Sequence, residues 1–122
     1  MISIEEFEEL TQIAADELPD VFFDELSGGV VILEDVKLHP DRVADDLYIM
    51  GEYHRAPLTG KVIYLYYGSF AAVYGRLGRD EIFPHIRETL RHEFRHHLEG
   101  LAGDRSLERE DERDLDQYFR GR

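Results

Sequence analysis

Residues 82–99, Ile82-Phe83-Pro84-His85-Ile86-Arg87-Glu88-Thr89-Leu90-Arg91-His92-Glu93-Phe94-Arg95-His96-His97-Leu98-Glu99, contain no Gly and carry two helical patterns at once. Phe83, Ile86, Leu90, Phe94 and Leu98, continued by Leu101, recur at steps of three and four and form one apolar stripe. His85, Glu88, His92, His96 and Glu99 recur at the same steps but two residues out of phase, about 200° around a helix that turns about 100° per residue. The spacing predicts a helix that starts after Gly78, stops at Gly100, packs one face on a sheet and offers the other to a cleft.

On that second face, His92-Glu93-Phe94-Arg95-His96 is an H-E-x-x-H pattern. Positions i and i+4 project from one side about a turn apart, so two imidazoles can share a metal ion while Glu93 sits beside its open position. The chain has six His and no Cys, which excludes disulfides, thiolate ligands and a thiol nucleophile, so a metal site here needs His and carboxylate donors. The same spacing also describes a solvated helix face, with Glu99 paired to Arg95 four residues earlier.

Outward from this helix, residues 3–18 place Ile4, Phe7, Leu10, Ile13, Ala14 and Leu18 on one amphipathic face, ended by Pro19 and Asp20. Ser27-Gly28-Gly29 signals a turn, and Val30-Val31-Ile32-Leu33 has the composition of a buried strand. An acidic loop is expected over 34–46, a second strand over 47–53 and a third over 61–67 ended by Gly68. A helix is expected over 69–77 and a charged terminal helix over 104–119. These elements predict one α+β domain spanning 1–122. A small mixed sheet would pack on an N-terminal helix and the H-E-x-x-H helix, followed by a C-terminal helix.

A formal charge of −13, with 27 acidic against 14 basic residues, excludes the basic footprint of nucleic-acid binding and disfavours anionic membranes. The first ten residues lack the basic and apolar regions of a secretory signal, and no segment has the ~18 apolar residues of a membrane span. A cytoplasmic location is the expectation.

Several stretches together carry a family likeness: Phe7-Glu8-Glu9-Leu10 through Leu18-Pro19, Val30 to Asp35, Ile63 to Gly68, and Arg87 to His97. In them the chain resembles the small bacterial zincin-like metallopeptidases, whose fold is a minimal matrix-metalloprotease-like domain. That family has a shortened signature, H-E-x-x-H-H-x-G-x-x-D, whose Asp is the third zinc ligand, and His92, Glu93, His96 and His97 match it. Glu99 stands where the family has its turning Gly, and Ala102 where its Asp falls. With two residues inserted, Gly100 or Gly103 would make the turn, Asp104 would be the ligand and Leu107 would follow in register. Asp104 is equally suited to cap the terminal helix. Glu99, Glu108 and Asp111 are the other carboxylates within reach of the pattern, and His97 is expected to support the site from behind.

The resemblance implies Zn²⁺ bound by His92, His96 and Asp104, with Glu93 as general base in hydrolysis of a peptide or protein substrate. The substrate would lie extended along an edge strand, for which residues 61–67 are the expected choice. The alternative implied by so short a chain is a non-catalytic metal-binding or interaction module on the same fold. Arg87, Arg91 and Arg95 form a basic row that would either attract acidic substrates or pair with surface acids such as Glu88 and Glu99.

Overall fold

The computed structural model describes residues 1–40, 47–58 and 60–105. Helix α1 (Ile4–Asp16) begins at Ser3, whose hydroxyl accepts the Glu6 N–H at 3.1 Å and satisfies a donor that every helix start leaves open. A 3₁₀ turn (Asp20–Phe23) leads to β1 (Gly29–Leu33), followed by β2 (Gly51–Ala56), β3 (Gly60–Tyr66), α2 (Tyr67–Tyr74) and α3 (Arg79–Arg105). Among the described residues the architecture is α+β, a three-stranded mixed sheet with three α-helices. No helix among the described residues is long and apolar enough to cross a membrane.

In the sheet the order is β1-β3-β2. β1 runs parallel to β3, with Val31 opposite Tyr64, and β2 runs antiparallel to it, with Tyr53 opposite Ile63. This corrects the expected edge strand: residues 61–66 lie in the middle of the sheet with both ladders occupied, and β1 and β2 are its edges. Gly60, at φ +72°, makes the return from β2 to β3 in a backbone region that a side chain would strain.

Three of the boundaries that differ from expectation bear on the site. The second strand starts at Gly51 rather than residue 47, because the chain just before it pairs elsewhere: the His39 N–H donates to the Leu47 carbonyl and the Ile49 N–H to the Lys37 carbonyl, each at 2.8 Å. Gly68 does not end β3; it lies in α2, where a Cβ would meet the Glu34 carbonyl oxygen at 2.6 Å, so its role is close approach of helix to loop. And α3 runs through Gly100 and Gly103 to Arg105, so Asp104 belongs to this helix. The rest of the expected terminal helix lies outside the described residues.

The core forms where α1 and α3 pack with the sheet. Ile82, Ile86, Leu90 and Phe94 of α3 are fully buried, with Leu98 nearly so, against Phe7, Leu10, Ile63, Leu65 and Phe70, and Leu101 is buried as well. Each such side chain contributes about 1.5–3 kcal/mol by leaving water. Phe83 is the exception to the expected stripe. It is half-buried under the Arg87 guanidinium, 4.5 Å from its ring, and Ile82 fills the core in its place. Ion pairs fix the helix against α1: Glu17 accepts from Arg87 Nε and Nη2 at 2.8 and 2.9 Å and from Arg91 at 3.3 Å, and Arg79 pairs with Glu9.

Candidate metal centre

With the apolar stripe of α3 buried, His92 and His96 are carried to the exposed side one turn apart. Their Nε2 atoms stand 3.1 Å apart and their rings are nearly perpendicular, at 89°. Two nitrogen donors at that separation can both lie ~2.0–2.1 Å from one cation, so the pair fits half of a zinc ligand set. The distance also suits a hydrogen bond between the rings when one carries the proton and the other does not.

Glu93, between them in sequence, is only 6% exposed. Burial raises its carboxyl above the ordinary range, and the nearby Glu52 charge pushes the same way. The charge of His96 and a hydrogen bond donated by the Tyr53 backbone N–H oppose the rise. The result is a carboxylate held to the edge strand with its pKa raised.

Across from α3, β2 supplies the opposite wall. An open groove of about 550 Å³ runs between His92, Glu93, His96 and Gly100 on one side and Glu52, Tyr53 and Arg55 on the other. A second lobe of about 340 Å³ shares Ile49, Gly51, His92 and Glu93 with it and extends toward Tyr74 and His85. Glu52 is held by three neighbours at the same oxygen: Lys37, the Tyr66 hydroxyl at 2.5 Å and His54 Nε2 at 3.4 Å. Burial alone would raise its carboxyl, but the hydrogen bonds from Lys37, Tyr66 and His54 outweigh it and hold the group below its usual value.

His97 faces the core and is fully buried. Its Nε2 lies 2.8 Å from the Asp24 carbonyl oxygen, an acceptor only, so Nε2 carries the proton and Nδ1 accepts from the Tyr53 hydroxyl at 2.8 Å. This ring therefore ties three segments together behind the site, and burial lowers its pKa.

The expected third ligand is not gathered with the pair. Asp104 forms an ion pair with Arg55 and lies 4.0 Å from Lys61. It sits eight residues beyond His96 on a continuous helix, about 12 Å along the axis at 1.5 Å per residue. Arg55 also lies over Gly100, where a Cβ would meet its Nη1 at 3.1 Å. Glu99 pairs with Arg95 at 2.8 Å, and Glu108 and Asp111 lie outside the described residues. Among the described residues, no group of three or more His, Asp or Glu side chains is arranged to hold a metal ion. Of the basic row, Arg87 and Arg91 answer Glu17 rather than Glu88.

Glu52, Tyr53 and Arg55 went unpredicted. They come from the strand paired through residues 51–56, and alternation within so short a segment says nothing about which helix its edge will face.

No family model matches the chain, and comparison with curated proteins finds no match. A solved structure does: a conserved hypothetical protein from Thermus thermophilus is 33% identical, with a TM-score of 0.69, over 84% of this chain and 99% of that one. The chain belongs to the same family as that protein.

Proposed function

We propose that this protein is a zinc-dependent metallopeptidase on a minimal zincin-like fold. The observation that carries the reading is the 3.1 Å convergence of His92 and His96 Nε2 beside the buried Glu93, on the floor of an open groove. His92 and His96 would hold the ion, which when bound supplies a Lewis acid and lowers the pKa of water at its open position. Glu93, raised by burial and steadied by the Tyr53 N–H, takes a proton from the attacking water and delivers it to the leaving amine. Apart from the Tyr53 N–H, which Glu93 takes, the outer edge of β2 lies along the groove, which suits an extended peptide or protein substrate.

Asp104 is the proposed third ligand. For it to join, Arg55 must release the carboxylate and the last turn of α3 must open, and Gly100 and Gly103 are the positions where a helix gives way at least cost. The pairing of Asp104 with Arg55 favours a second reading, a non-catalytic metal-binding or interaction module on the same fold. A peptide-library cleavage assay on zinc-loaded protein, with a chelator control, decides between them. Chelator-sensitive cleavage supports the peptidase, and stoichiometric zinc without cleavage supports the module.

A further inference from the structure

The smaller lobe of the groove has chemistry that the peptidase reading leaves unused. At its far end the Tyr74 and His85 rings, from α2 and α3, are stacked with centroids 4.0 Å apart and planes 16° from parallel. Ile49 and Met50 give the lobe an apolar wall, and Glu88, one turn before His92, lines the same space. Glu88 is exposed, and among the described residues it has no ion-pair partner, although Arg87 and Arg91 stand on the same helix and pair with Glu17.

We propose that this lobe is a subsite for a Lys or Arg side chain of an extended peptide, an inference that rests on the groove being a peptide site. A long basic side chain has an apolar stem and a charged head, and the lobe matches both in order. The stem lies along Ile49 and Met50, the head reaches the face of the Tyr74–His85 stack, and the Glu88 carboxylate accepts its N–H donors. Among the described residues no Lys or Arg lines this lobe, so an acidic side chain would meet the Glu88 charge with no cationic side chain to offset it. Arg55, the cation of the larger lobe, is not among the residues lining this one, so it does not reverse this selection. The −13 charge of the chain favours approach of basic peptides over acidic ones.

The test follows the His85 and Tyr74 ring signals of the full-length protein by NMR, with and without one equivalent of Zn²⁺. The probes are Nα-acetyl-arginine amide and Nα-acetyl-norleucine amide. The arginine probe should move both rings and bind roughly tenfold more tightly than norleucine, the size of one hydrogen bond to a charged group, and Glu88→Gln should abolish the difference. Glu88 is exposed, so its replacement leaves the fold intact. No response to arginine, equal binding of the two probes, or a preference that survives Glu88→Gln overturns the subsite. If the arginine probe binds selectively while His92 and His96 ignore Zn²⁺, only the metallopeptidase reading fails. Zinc uptake without arginine selectivity sinks the subsite alone.

Discussion

The Tyr53 hydroxyl donates to Nδ1 of His97 across 2.8 Å, while the backbone N–H of the same tyrosine holds the Glu93 carboxylate. One residue of an edge strand thus contacts both the buried His97 ring and the candidate base. The His97 contact to the Asp24 carbonyl extends the tie to the turn after α1, so the site is braced from the core side, where solvent cannot compete.

Removing the hydroxyl should be costly. Tyr53→Phe leaves Nδ1 of a fully buried imidazole without a donor, a loss of about 1–3 kcal/mol. Urea unfolding should show a lower midpoint with an unchanged slope, and a midpoint equal to that of the parent would contradict the bracing role.

Acid should weaken the same contact. Burial lowers the His97 pKa from its ordinary 6.5, so below that pH the unfolded chain takes up a proton that the folded ring refuses. Its contribution to stability is complete above pH 6.5 and declines as pH falls from there through the lowered folded value. NMR titration should find the His97 ring still neutral at a pH where an ordinary histidine is half protonated, and unfolding midpoints should drop over the same window.

Glu93 behaves in the opposite sense. Its raised pKa means that ionising it in the folded state opposes stability as pH rises through that value, so Glu93→Gln should increase the melting temperature of the metal-free protein at neutral pH. The same change should keep zinc binding and lower hydrolysis by roughly 10²–10⁴-fold, the usual share of a general base. A variant that melts lower and still cleaves would count against both assignments.

Glu52 influences that base from β2. Its charge raises the Glu93 pKa, so Glu52→Gln should move the acid limb of the kcat/KM profile to lower pH. Weakened bonds from Lys37 and Tyr66 should cost about 1 kcal/mol of stability as well. An acid limb that stays in place would show that the two carboxylates do not communicate.

The Arg55–Asp104 pair separates structural from metal roles. Both side chains are over 40% exposed, at 42% and 44%, so losing the pair in Asp104→Asn should alter stability by no more than about 1 kcal/mol. If Asp104 is the third ligand, the variant should nevertheless bind zinc distinctly more weakly in competition with a chelator. Unchanged zinc affinity would remove Asp104 from the ligand set.

The parts of this molecule visible in the sequence are those governed by local periodicity. The stripe from Ile86 to Leu101 fixed which face of α3 is buried, and hence that His92 and His96 would point outward together. What periodicity could not convey was pairing at a distance. That residues 61–66 take the middle of the sheet depends on the parallel match of β1 to β3, and that Glu52 and Arg55 enter the groove depends on the β2 register. The helix was expected to stop at Gly100 because glycine commonly ends helices, yet Arg55 packs over that glycine and Asp104 receives the guanidinium, so a tertiary contact accompanies the extra turns.

The most direct test of the account is titration of the full-length protein with Zn²⁺ while the ring signals of all six histidines are followed by NMR. Uptake of one equivalent with large, selective shifts at His92 and His96, and their absence in His92→Ala and His96→Ala, is the predicted result. Rings of His92 and His96 that remain unmoved past one equivalent would contradict it.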